Sequence, residues 1–175
     1  MKKIQFLDLK RQYLSIKTEV DLAIQNCIEK QSFIGGSEVK AFEENFSKSY
    51  DSEFCISVAN GTDAIYIALK ALDLPLGSEV ITVGNSWISS SETITQSGNK
   101  VVFCDINSDD LSIDVNHLKR IITPQTKAIV LVHLLGYPAN MIEIMKIVKK
   151  YKLFLIEDCA QAHLSYFDEK LAGSF

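Results

Sequence analysis

Between Cys55 and Glu157, short apolar runs alternate with segments whose apolar residues recur every three to four positions. This alternation constrains the fold more than any other feature of the chain. Residues 55–59, 79–83, 100–105, 127–134 and 153–157 have strand length and apolar character, and residues 63–72, 89–97, 115–122 and 141–151 between them carry helical periodicity. Strands separated by single helices need crossover connections, which are right-handed and lay helices over the sheet. The expectation is an α/β fold with a mostly parallel sheet of five strands and helices on both faces. The run from Leu153 to Ile156 follows a charged helical stretch and reads as a buried strand. Ahead of this core, Leu9, Tyr13, Ile16, Val20, Ile24 and Ile28 mark a long amphipathic helix ending near residues 32–36, and Val39, Phe42 and Phe46 mark a second. The chain thus reads as a helical segment over 1–53 and an α/β core over 54–175. With three prolines and eight glycines, it shows no linker, repeat or low-complexity stretch between them.

Several function classes fall away on composition and on missing motifs. At 175 residues, 47% hydrophobic and 23% charged, the chain is long enough for a globular domain with its own core. Its formal net charge is -4 and no basic run exceeds two residues, which argues against a nucleic-acid partner. Cys27, Cys55, Cys104 and Cys159 lie far apart with no C-x-x-C pair, so no zinc site or redox dithiol is expected, and reduced thiols suit a cytoplasmic protein. Asp8, Lys10 and Arg11 interrupt the N-terminus before the apolar core of a signal peptide can form, and no apolar stretch approaches membrane-spanning length. The chain has no G-x-G-x-x-G, no G-x-x-x-x-G-K-[ST] and no G-x-S-x-G, so the dinucleotide, P-loop and serine-hydrolase readings lack their signatures.

Chemistry concentrates at two strand ends. Ile156-Glu157-Asp158-Cys159-Ala160-Gln161-Ala162-His163 sets two carboxylates, an amide and an imidazole at the end of the last run, the edge where open α/β sheets bind ligands. Asn60-Gly61-Thr62-Asp63 follows the first run and opens a helix, offering backbone N–H groups to an anion. Asn60-Gly61 also suits a β-hairpin, but helical periodicity follows it and the anion reading weighs more. One end suits a phosphate and the other a cationic ring nitrogen.

Further motifs come in one order along nearly the whole chain. They are Phe6-Leu7-Asp8-Leu9, Phe33-Ile34-Gly35-Gly36-Ser37-Glu38-Val39, Ala59-Asn60-Gly61-Thr62-Asp63-Ala64, Gly77-Ser78-Glu79-Val80-Ile81-Thr82, Trp87, Pro124-Gln125-Thr126-Lys127, Val132-His133-Leu134-Leu135-Gly136-Tyr137-Pro138, the Glu157 to His163 stretch and Gly173-Ser174-Phe175. That order resembles the DegT/DnrJ/EryC1/StrS sugar aminotransferases, of the aspartate aminotransferase fold that binds pyridoxal 5'-phosphate (PLP). The resemblance implies roles residue by residue. A PLP ring acts as an electron sink while its nitrogen stays protonated, and Asp158 matches the family carboxylate that pairs with that nitrogen. Its structural alternative is a helix N-cap. Gln161 matches the residue that hydrogen-bonds the ring's phenolic oxygen, with an ordinary polar helix residue as the alternative. Trp87, the only tryptophan, matches the aromatic that lies against the ring, with core filling as the alternative. Gly61 by close backbone approach and Thr62 by its amide and hydroxyl would grip the phosphate. For His133 and His163 a structural reading weighs at least as much as a catalytic one.

By the same resemblance, the activity is transfer of an amino group, usually from glutamate, to a keto group on a nucleotide-linked deoxysugar, for surface-polysaccharide or glycoconjugate synthesis, by a homodimer. The alternatives are a PLP-dependent sugar dehydratase and a non-catalytic fragment that binds cofactor or dimerises through its first helix. The family's Schiff-base lysine lies beyond the Gly-Ser-Phe segment, and no lysine up to Phe175 matches it. The sequence therefore reads as the N-terminal part of the large domain, without the small C-terminal domain, and no turnover is expected of it alone. Cys159 and Leu164 stand where the family usually has small Ala and Gly.

Overall fold

A computed structural model describes residues 4–175, which form two units, one of the residues up to Ser49 with Glu53–Ser57, the other of Tyr50–Ser52 with Val58–Phe175. In the first, Asp8 caps α1 (Leu9–Glu29) by accepting from the Arg11 N–H at 2.9 Å, which satisfies one of the amides a helix start leaves free. Lys17 and Asp21 pair one turn apart on its surface. The chain leaves the helix through Gln31, at φ 54°, and α2 (Ser37–Ser49) follows. The expected helical period holds, yet α1 buries none of its residues, and Leu14, Leu22, Ile24 and Ile28 are all more than half exposed.

The strand expected at 55–59 does not form. A strand persists only where its backbone groups find ladder partners, and the Ser57 N–H donates instead to Glu43 Oε1 at 2.8 Å. Among the described residues the main sheet accordingly has four strands rather than five.

The second unit runs α3 (Gly61–Ala71), β1 (Glu79–Val83), α4 (Ser89–Gln96), β2 (Lys100–Cys104), α5 (Val115–Ile121), β3 (Thr126–Val132), α6 (Met141–Tyr151) and β4 (Phe154–Asp158). The strands lie in the order β2-β1-β3-β4 and every neighbouring pair is parallel. Successive side chains of a strand point to opposite faces, and the two central strands supply two cores. Val80, Ala128 and Val130 pack with Ile65 and Leu69 of α3 and Ile94 of α4. Ile81, Ile129 and Leu131 pack with Leu118 of α5 and with Ile144 and Ile147 of α6. Helices therefore cover both faces, as the alternation requires.

Two local expectations are corrected. β4 lies at a sheet edge with one neighbour, so Phe154 is half exposed rather than buried. A short antiparallel hairpin, β5 (Tyr166–Phe167) with β6 (Lys170–Leu171), follows it and turns through Asp168 at φ 53°. Two residues per strand cannot display a period, which is why the pattern of the sequence does not reveal it.

Helix α6 shows how burial sorts its residues. Asn140 caps it by accepting from the Glu143 N–H at 3.2 Å, and Ile144 is fully buried while Ile142, two positions away, is half exposed. Ile144→Ala should therefore cost about 2–5 kcal/mol through lost burial and the cavity it leaves. Ile142→Ala should stay within about 0.5 kcal/mol of the parent. Urea denaturation of the two variants side by side checks the contrast.

Candidate functional site

Strand order fixes where a ligand can sit. The chain leaves β1 toward β2 on one side and returns to β3 on the other, so the direction of winding switches between β1 and β3. Open α/β sheets bind ligands outside the carboxyl ends of their strands at such a switch. The segments that leave those ends are Gly84 to Ile88 after β1, His133 to Asn140 after β3, and Cys159 onward after β4.

Asn60 is the N-cap of α3, not part of a hairpin. Its Oδ1 accepts from the Asp63 N–H at 2.9 Å and its carbonyl from the Ala64 N–H at 3.1 Å. Among the described residues, the Gly61 and Thr62 N–H groups find no such acceptor, and a helix start with free amides suits an anion. A Cβ built on Gly61 would meet nothing within 4 Å, so the space in front of these amides is open. Thr62 Oγ1 lies 2.7 Å from Ser89 Oγ.

The other end is built on β4. Parallel register sets Asp158 opposite Val132, and the His133 N–H donates to the Asp158 carbonyl at 3.1 Å. Asp158 Oδ1 accepts from the Ala160 N–H at 3.1 Å, and Oδ2 accepts a longer bond, 3.4 Å, from Ser90 Oγ. Turns rather than a helix follow Asp158, so the N-cap alternative does not apply. Trp87 is 77% exposed, which removes the core-filling alternative. Gln161 is exposed on a turn, not on a helix, and its Oε1 accepts from the Leu135 N–H at 2.8 Å. With that oxygen engaged, the amide NH2 remains free to donate.

The serines of α4 link the two ends, and the sequence reading missed them. Ser89 meets Thr62, while Ser90 lies between Ser86 Oγ at 3.0 Å and Asp158. Both are buried. The signal was present in Ser89-Ser90-Ser91, because three consecutive hydroxyls opening a helix at the carboxyl end of the sheet can serve as hydrogen-bonding groups there. Beside the Trp87 loop, a cavity of about 450 Å³ is lined by Gly84, Asn85, Phe103 and His117 among others, and none of the five predicted residues borders it.

Glu157 and Asp158 adjoin in sequence yet serve opposite faces of the sheet. Glu157 accepts from His133 Nε2 at 3.0 Å and from the Gly173 and Phe175 N–H groups, each at 2.9 Å. Burial works against its charge and is the largest single influence, but the three hydrogen bonds together prevail and hold the carboxyl below its ordinary range. His133 is fully buried, and His163 Nδ1 lies 3.0 Å from the Tyr50 hydroxyl. Both histidines thus have structural partners. Burial, with Glu157 and Asp158 close by, pushes the Cys159 thiol up to about 12, so it stays protonated and is no nucleophile.

One family matches most of the chain. Its sequence model covers residues 14–175. The chain belongs to the DegT/DnrJ/EryC1/StrS aminotransferase family. It is 39% identical over 171 residues to the dTDP-3-amino-3,6-dideoxy-alpha-D-galactopyranose transaminase of Aneurinibacillus thermoaerophilus, covering 98% of this chain and 47% of that one. It is 40% identical over 159 residues to the UDP-2-acetamido-2-deoxy-3-oxo-D-glucuronate aminotransferase of Pseudomonas aeruginosa, covering 91% and 44%. Among solved structures, the E. coli GDP-4-keto-6-deoxy-D-mannose-3-dehydratase with bound hydrated PLP superposes with a TM-score of 0.80 at 32% identity, covering 99% of this chain and 43% of that one. The chain thus spans just under half the length of these relatives.

Leu164 adopts a backbone conformation that has an energetic consequence. Leu164 stands at φ 58°, where a non-glycine residue costs about 1–2 kcal/mol, and its N–H is held by the Tyr50 hydroxyl at 3.0 Å. Leu164→Gly should leave that bond intact and stabilise the fold by up to about 1 kcal/mol, read as a rise in the urea midpoint. Glu157 gives a pH-dependent test. Its folded-state value lies below the ordinary 4.5, so its contribution is present above about pH 4.5 and is lost as pH falls through the folded value. Glu157→Gln should cost about 1–3 kcal/mol at pH 7. The gap between parent and variant should narrow steadily in denaturation curves taken below about pH 4.5.

Proposed function

We propose that this chain carries the cofactor-binding part of a PLP-dependent enzyme that transfers an amino group from glutamate to a keto group on a nucleotide-linked deoxysugar, in surface-polysaccharide or glycoconjugate synthesis. The observation that carries the reading is Asp158, which ends β4 with its two oxygens each taking one bond from a neutral donor. Lone pairs remain for a cationic ring N–H. Bound PLP supplies an electron sink for carbanion chemistry while its ring nitrogen keeps its proton.

The residues present fit that group. Gly61 leaves open space in front of two free amides, Thr62 adds a hydroxyl, Trp87 exposes a flat ring, and the Gln161 NH2 is unspent. In this reading Gly61 and Thr62 bind the phosphate, Trp87 covers one ring face and excludes water from it, Gln161 donates to the phenolic oxygen, and Asp158 holds the proton on the ring nitrogen. Ser90 keeps Asp158 Oδ2 in place. The sugar-nucleotide substrate is argued from the transaminase relatives that use dTDP- and UDP-linked sugars. The dehydratase relative supports a second outcome on the same cofactor site, loss of water instead of gain of nitrogen.

A protein that joins this chain to the C-terminal half of a related transaminase tests the reading. It should bind PLP and place glutamate nitrogen on a nucleotide-linked keto-sugar. Asp158→Asn should lower turnover by about 10²-fold or more with PLP still bound. Trp87→Ala should instead raise the Kd for PLP about fivefold, the value of on the order of 1 kcal/mol of stacking. Near-parental turnover in Asp158→Asn would remove Asp158 from its role, and a dehydrated product without new nitrogen would assign the second activity.

A further inference from the structure

We propose that Glu157 and His133 are positioning residues that act through the loop after β3 to aim Gln161 at the ring end of the site. The inference rests on the PLP reading for what Gln161 touches, but its geometry stands on its own. The Glu157 side chain is 6% exposed and that of His133 is 0%. The Ala139 N–H donates to His133 Nδ1 at 3.1 Å, so the imidazole proton sits on Nε2, which donates to Glu157 Oε2 at 3.0 Å. The ring thereby closes the chain on itself from residue 133 to residue 139, and the carboxylate fixes the plane of that ring.

Inside the closed loop the backbone is strained. Leu135 stands at φ 56° and Gly136 at φ 81°. A left-handed leucine persists only where its surroundings over-determine it. Its own side chain does not do so, being 75% exposed. The ties are the His133–Ala139 closure and the Ser165 hydroxyl, which donates to the Gly136 carbonyl at 2.8 Å. The strained turn delivers one N–H, from Leu135, to Gln161 Oε1 at 2.8 Å, which leaves the amide NH2 free to donate. Glu157 also precedes Asp158 in β4 and accepts from Gly173 and Phe175. A buried pair that itself reaches no ligand thus holds the loop that places Gln161.

Two readouts on the 175-residue chain test this. Quenching of Trp87 fluorescence during titration with PLP gives the affinity, and amide hydrogen exchange reports the loop with no ligand present. Glu157→Gln and Gln161→Ala should each raise the Kd for PLP about fivefold to tenfold, and the double variant should bind no worse than Gln161→Ala alone, because both changes remove the same contact. Exchange at the Leu135 and Ala139 amides should quicken about tenfold or more in Glu157→Gln. His133→Asn, whose Oδ1 can take the Ala139 N–H in place of Nδ1, should restore most of the Leu135 protection that His133→Ala loses. Losses that multiply in the double variant, or Leu135 exchange unchanged by Glu157→Gln, would overturn the proposal, since a merely structural role gives those results. If Glu157→Gln does not fold, His133→Ala takes its place in the cycle with Gln161→Ala. If the parent chain shows no quenching by PLP, the cofactor reading falls while the exchange measurements still decide the role of the pair.

Discussion

Period-two alternation at the end of β4 governs the chemistry of this protein. Adjacent residues on a strand must face opposite ways, so Glu157 enters the side that holds His133 and the 173–175 segment while Asp158 meets Ser90 of α4. One carboxylate becomes structure and the other remains available to a ligand. The division depends on register: with Val132 opposite Asp158, a slip of one residue would exchange the two faces.

Placement of the open helix start at α3 follows from a different constraint. A helix start leaves amides unpaired, and Asn60 satisfies Asp63 and Ala64 while leaving those of Gly61 and Thr62. The two ends are held together by hydroxyls rather than by charge. Ser89 and Ser90, consecutive in the first turn of α4, reach Thr62 and Asp158 respectively. Neutral donors of this kind leave lone pairs of Asp158 for a partner, where a lysine in the same place would already have paired with it.

Left-handed residues mark where the chain accepts strain. Leu135 and Leu164 lie in the two loops beside the site, and each directs an N–H at a specific acceptor, Gln161 Oε1 and the Tyr50 hydroxyl. Such positions are sustained by their surroundings. At Leu135 these are the His133–Ala139 closure and the Ser165 bond to the Gly136 carbonyl, and at Leu164 the Tyr50 hydroxyl.

The sequence by itself determined the α/β alternation, the bounds of β1 and α6 and the covering of both faces, because each of these is written in local periodicity. It could not decide pairing. The segment 55–59 has a strand's composition but gives its Ser57 amide to Glu43, and β4 has an interior strand's composition but lies at an edge. Nor could it separate Glu157 from Asp158, assign His133 to a carboxylate 24 residues away, or show that Ser89 and Ser90 join the ends of the site. Those outcomes depend on which backbone groups and side chains meet across long stretches of chain, and only the folded sheet, with its order and register, brings them within hydrogen-bonding distance.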